Sequence, residues 1–115
     1  MIIKIEAIVR EEKLEDVKEA LSKIEVNGIT VSQVMGAGMQ KGMTELVRGQ
    51  EIDIPLLPKI KFEIVVSSEE WEQKTIKAIQ DAAFTGAVGD GKIFSYELRS
   101  VQRIRTQETG YDALN

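Results

Sequence analysis

Ile60-Lys61-Phe62-Glu63-Ile64-Val65-Val66-Ser67-Ser68-Glu69-Glu70 changes its periodicity midway, and that change decides the fold. Ile60, Phe62, Ile64 and Val66 alternate with Lys61, Glu63 and Val65, which predicts a strand with one packed face. Ser67 to Glu70 then reads as a serine-plus-acid helix start. Trp71, Thr75, Ala78, Ile79, Ala82 and Ala83 follow as a buried helical stripe that Gly86 is expected to end, and Ile93 to Leu98 is expected to be a further strand.

Upstream, the same succession occurs once more. Ile3, Ile5, Ala7 and Val9 alternate with Lys4, Glu6, Ile8 and Arg10, a strand. Leu14, Val17, Leu21 and Ile24 recur at helical spacing, predicting an amphipathic helix from about Glu12 to Ile24. Asn27-Gly28 is expected to turn the chain into a strand over Ile29 to Met35. The order is β-α-β-β-α-β, an α+β ferredoxin-like sandwich with both helices on one face of an antiparallel sheet. The other face would carry charges beside Ile8, Val34 and Val65. That is more apolar surface than water tolerates well, so partial burial in an oligomer is expected.

A chain of 115 residues, 43% hydrophobic and 30% charged, builds one globular domain, 1–115. The apolar runs are too short to cross a bilayer, and the first residues enter a strand without a leader pattern, so a cytoplasmic protein is expected. Without cysteine or histidine there is no disulfide, conventional zinc site, Ser-His or Cys-His nucleophile, or histidine phosphocarrier. Net charge −4 and only six aromatic residues argue against nucleic-acid binding, which needs phosphate neutralisation.

Gly36 to Pro58 separates two strands by 23 residues, counted as 58 − 36 + 1, and contains Gly36, Gly38, Gly42, Gly49, Pro55 and Pro58. Compact domains rarely hold structureless connections beyond about 15 residues unless these are functional or disordered. Because it mixes charged and apolar residues, this connection is read as a mobile recognition loop, about 37–56, rather than an idle insertion.

Thr85-Gly86-Ala87-Val88-Gly89-Asp90-Gly91-Lys92 joins a helix to a strand. Its glycines allow positive φ, so consecutive N–H groups can point at an anion beside Lys92. An ordinary Gly-Asp-Gly turn is the competing reading. Arg103 and Arg105 flank Ile104, and on an extended segment both would point the same way. They await either an anion or acidic neighbours such as Glu97 or Glu108.

At these residues the chain resembles a known family. Thr85-Gly86, Gly89-Asp90-Gly91-Lys92-Ile93-Phe94 and Arg103-Ile104-Arg105-Thr106 look like the C-terminal half of the PII nitrogen-regulatory signal-transduction proteins. Lys4 to Arg10, Lys13-Leu14, Val17 to Leu21, Gly28 to Val31, Gln40-Lys41-Gly42, Thr44-Glu45-Leu46, Arg48-Gly49 and Leu57-Pro58-Lys59 continue the match. The resemblance implies a homotrimer that binds ATP or ADP between subunits and controls partners through the long loop, without being an enzyme. It places Gly28, Ile29, Thr30, Glu63, Ile64 and Val65 around adenine and ribose. Gly38 and Met39 at the loop base, Thr85, and Gly89, Asp90, Gly91 and Lys92 would lie at the nucleotide, with Arg103 and Arg105 reaching from the neighbour and 103–115 forming a C-terminal loop. Gln40 would hold Mg²⁺, and Gln40, Lys41 and Lys59 would meet 2-oxoglutarate. Thr44, Glu45, Arg48 and Glu51 would face partners: an ammonium channel, glutamine synthetase, a nitrogenase system or a transcription factor. Membrane contact would come only through a channel partner.

Departures from the family pattern are local. Ile52 stands at the modified tyrosine, Val47 at the tyrosine before the arginine and Gln50 at a serine phosphorylated in some relatives, so no modification is expected there. Met39 and Ala87 stand where basic residues are usual, and Ala37 where an aromatic is common. A PII-like sensor of another small molecule, with a different partner, is the alternative reading. A slow ATPase is a third, disfavoured by the lack of histidine and of a clear base.

Overall fold

The computed structural model describes residues 1–37 and 55–114. β1 (Ile3–Arg10) leads through a 3-10 turn (Glu11–Lys13) into α1 (Leu14–Lys23), and β2 (Ile29–Gly36) follows. β3 (Leu57–Val66), α2 (Glu69–Ala83) and β4 (Lys92–Glu97) complete the sandwich, and a 3-10 turn (Gly110–Ala113) lies in the tail. The sheet order is β2-β3-β1-β4 with every pairing antiparallel. This is the predicted α+β ferredoxin-like arrangement.

Strand period two explains the layering. Ile3, Ile5, Ala7 and Val9 of β1 and Ile60, Phe62, Ile64 and Val66 of β3 turn to the helices and are buried. They meet Val17 and Leu21 of α1 and Ile79 and Ala83 of α2 in one core. Each of the buried Val, Leu, Ile and Phe side chains contributes about 1.5–3 kcal/mol by leaving water. Trp71 packs partly buried against this core, and Lys74 Nζ sits 5.0 Å above its ring. The opposite face carries a chain of ion pairs across the two central strands. Lys4 bonds Glu63 at 3.0 Å, and Lys61 bonds Glu6 at 2.8 Å and reaches Glu63 at 3.9 Å. The hydrogen bond from Lys61, then that from Tyr96, holds the Glu6 carboxyl below its usual range.

Several expected boundaries move. β3 begins at Leu57, three residues before Ile60, because β2 extends to Gly36 and pairs with it there. Pro58 is tolerated because β1 reaches only to Lys59, leaving its position paired on one side. α1 proper starts at Leu14, after the 3-10 turn. It ends through Glu25, at φ 64, with Val26 N–H donating to Leu21 O at 2.9 Å, so the left-handed residue is Glu25, ahead of the Asn27-Gly28 turn into β2. α2 stops at Ala83, before Gly86, because Phe84 turns extended at φ −66, ψ 129. β4 runs Lys92–Glu97 instead of Ile93 to Leu98. The strands leave residues 37–56 as the long connection, of which 38–54 lie outside the described residues.

Candidate functional site

The Gly-rich loop leaves α2 and returns to the sheet at the Arg10 end of β1. Gly86, Gly89 and Gly91 take φ of +87, +107 and +101, values that side chains rarely adopt. Gly91 also passes so close to β1 that an added Cβ would lie 1.8 Å from Ile8 O. The loop is tied from inside. Asp90 Oδ2 accepts from Thr85 N–H at 2.8 Å and Gly86 N–H at 2.9 Å, and its Oδ1 accepts from Arg10 Nε at 3.0 Å and from the Thr85 hydroxyl. The hydroxyl and amide of Thr85, ahead of Arg10 and Gly86, hold the Asp90 carboxyl far below its ordinary range.

Two cations take the loop's carbonyls. Arg10 Nη2 donates to Val88 O at 2.8 Å and Lys59 Nζ to Gly89 O at 2.9 Å. Val88 and Gly89 are the central residues of a turn from Ala87 to Asp90, and among the described residues their own N–H groups have no hydrogen-bond acceptor. With their carbonyls bound to cations, Val88 and Gly89 retain free N–H donors of the kind that bind anions. Arg10 was not legible as functional in the sequence, where it is the last outward position of an alternating strand. Its signal is that it ends β1 directly beneath the loop.

The other predicted residues divide between two ends of the sheet. Gly28, Thr30, Glu63 and Val65 line a cleft of about 700 Å³ with Lys4, Val101 and Tyr111. This cleft lies toward the Ile3 end, where Leu98 N–H meets Ile2 O at 2.8 Å. Ile29 and Ile64 pair on the helix side, and Ile64 is 1% exposed, so its side chain belongs to the core rather than to a ligand. Thr30 and Lys92 stand on the two outer strands, three strand spacings or about 14 Å apart. Arg103 and Arg105 do not form the expected extended pair. The chain turns at Ile104 to Thr106, with Gln107 N–H on Arg103 O at 2.8 Å and Gln107 at φ 64. Arg103 Nη1 bonds Glu108 at 2.8 Å, the acidic neighbour foreseen, while Arg105 is exposed.

Lys59 and the start of the long connection at Ala37 share the Arg10 end with the Gly-rich loop. Gly38, Met39, Gln40, Lys41, Thr44, Glu45, Arg48 and Glu51 lie outside the described residues, as do Val47, Gln50 and Ile52. No group of three or more carboxylates able to hold a metal ion occurs among the described residues. No described helix is long and apolar enough to cross a membrane.

Comparison with known proteins places this geometry. A sequence profile of the family described as "Nitrogen regulatory protein P-II" matches residues 2–108. The "Nitrogen regulatory protein P-II" of Pasteurella multocida (strain Pm70) is 52% identical over 111 residues, covering 96% of this chain and 98% of that one. "Nitrogen regulatory protein P-II 1" of Methanothermobacter thermautotrophicus is 53% identical over 111 residues, covering 96% of each. Among solved structures, that of Arabidopsis thaliana PII bound to citrate superposes with a TM-score of 0.77 at 38% identity, covering 97% of this chain and 91% of that one. Sequence agreement from the first strand to the C-terminal turn, on the same sandwich, means that the chain belongs to the nitrogen regulatory protein P-II family of signalling proteins.

Proposed function

We propose that this regulator reads adenine nucleotides, ATP or ADP, between the subunits of a homotrimer and passes the result to partner proteins through residues 37–56. The observation that carries the reading is the Gly-rich loop: its carbonyls at Val88 and Gly89 are bound by Arg10 and Lys59, while among the described residues the N–H groups of the same two residues have no acceptor. Such donors favour phosphate oxygens, and Lys92 supplies charge beside them.

Assembly follows from the division of the site. One chain carries the phosphate loop at the Arg10 end and Gly28, Thr30 and Glu63 toward the other, with the arginine turn beyond them. A neighbouring copy brings the two halves together: its Arg103 and Arg105 approach the loop of the first chain. Exposed Val65, Phe94 and Tyr96 on the open sheet face support burial between copies.

The effector proposed beside the nucleotide is 2-oxoglutarate. Lys59 stands at the base of the long connection, and its bond to Gly89 O would exchange for a carboxylate. The amide oxygen of Gln40 would help hold Mg²⁺, which would supply positive charge to the phosphates and the oxo-acid. That the Arabidopsis relative is bound to citrate supports a small carboxylic acid as effector. The protein acts by binding, not turnover. An ammonium channel, met by Arg48, glutamine synthetase, a nitrogenase-related protein and a transcription factor are the partner classes.

Calorimetry with ATP, with ADP, and with ATP, Mg²⁺ and 2-oxoglutarate tests this. Both nucleotides are expected to bind, 2-oxoglutarate only with Mg²⁺-ATP, and Lys92→Ala to weaken ATP by about 1–3 kcal/mol. Absence of nucleotide binding at millimolar concentration refutes the reading. Binding without 2-oxoglutarate synergy assigns the effector site to another small molecule.

A further inference from the structure

An aspartate in a loop that receives phosphate is an electrostatic puzzle, because like charges repel. Side-chain geometry resolves it. Both Asp90 oxygens are already bonded inward, Oδ2 to the N–H groups of Thr85 and Gly86 and Oδ1 to Arg10 Nε and the Thr85 hydroxyl. The other arm of the same guanidinium holds Val88 O. Arg10 thus ties positions 88 and 90 together, and Asp90 ties 90 back to 85 and 86, closing the loop on itself.

We propose that Arg10 and Asp90 are positioning residues of the nucleotide loop: the Asp90 carboxylate permanently occupies its first two amides, and Arg10 fixes the remainder to β1, so that the donors of Val88 and Gly89 stay free for a ligand. The inference rests on the nucleotide reading and adds to it how the loop is shaped before ligand arrives.

Three observations support it independently. Arg10 is the last residue of β1 and is still paired there with Lys59 of β3, so the fork that holds the loop is anchored to the sheet. Gly89 is fitted to the guanidinium, since a Cβ there would lie 3.0 Å from Nη2. The two side chains are only 22% and 23% exposed, which limits competition from water. The planar fork matters as much as the charge, because one ammonium cannot meet Asp90 and Val88 O with the same geometry.

The test uses the full chain carrying Asp90→Asn or Arg10→Lys, with circular dichroism confirming the fold. Two readouts are needed: calorimetric ATP affinity with and without Mg²⁺, and amide hydrogen exchange at Thr85 and Gly86. Asp90→Asn is expected to weaken ATP about tenfold under both conditions, the equivalent of 1.4 kcal/mol or one charge-assisted bond, and to speed exchange at both amides. Arg10→Lys keeps both charges and is expected to weaken ATP as well, and it serves if Asp90→Asn does not fold. Equal or tighter ATP binding by Asp90→Asn overturns the proposal, as does unchanged exchange. A loss confined to Mg²⁺ solutions also overturns it, making Asp90 a metal ligand. If the unaltered protein fails to bind ATP, the nucleotide reading falls, while the exchange data still decide whether the clamp exists.

Discussion

Gly91 and Gly28 show how differently one residue type can be constrained. At Gly91 an alanine would place its Cβ 1.8 Å from Ile8 O at a φ of +101, whereas at Gly28 nothing lies within 4 Å of an added Cβ. Gly91→Ala is therefore expected to cost at least about 3 kcal/mol, from left-handed strain and a backbone clash that pries β4 from β1. Gly28→Ala should stay within about 0.5 kcal/mol; urea unfolding midpoints of the two variants measure the contrast. Sequence alone offered both as turn glycines. What separated them was the approach of another strand, a distance that no local pattern encodes. The same holds for Asp90: its place in the loop was legible, but its inward orientation depends on Arg10, 80 positions away.

Among the elements, periodicity was sufficient for what packs and insufficient for where things stop. Alternation in β1 and β3 foretold the buried set from Ile3 to Val66, because a two-residue repeat has only one way to face a core. Ser68 did begin a helix: it stands in extended backbone and its Oγ accepts from Trp71 N–H at 3.2 Å. Ser68→Ala should lower stability by about 0.5–2 kcal/mol, with Ser68→Asp retaining most of it, as thermal or urea melts will show. Endings were harder. α2 stops three residues before the glycine expected to end it, because Phe84 leaves helical φ/ψ and Asp90 collects the following amides. The arginine turn escaped a period-two reading because its shape comes from the main-chain bonds of Arg103 with Gln107 and Glu108.

For the molecule as a whole, the parts proposed to meet a ligand do not meet within one chain. β1 is eight residues long, about 23 Å, and the Gly-rich loop lies at its Arg10 end while the chain reaches the arginine turn from its Ile3 end. Topology was readable from the order of elements, and so were most of the residues involved. Their placement on opposite ends was not, since it follows from the direction of β4 in the assembled sheet. A contact that joins one chain's loop end to the next chain's tail end is head-to-tail, and such a contact closes into a ring when its rotation allows. This makes loss of function in one subunit repairable by its neighbour. Lys92→Ala spoils only the loop half, and Arg103→Ala with Arg105→Ala spoils only the tail half. Either variant alone is expected to lack full-affinity sites, its nucleotide binding being weaker by about 1–3 kcal/mol. Unfolded and refolded together in equal amounts, they should recover about a quarter of the sites, since each junction needs an intact loop from one parent and an intact tail from the other, roughly ½ × ½.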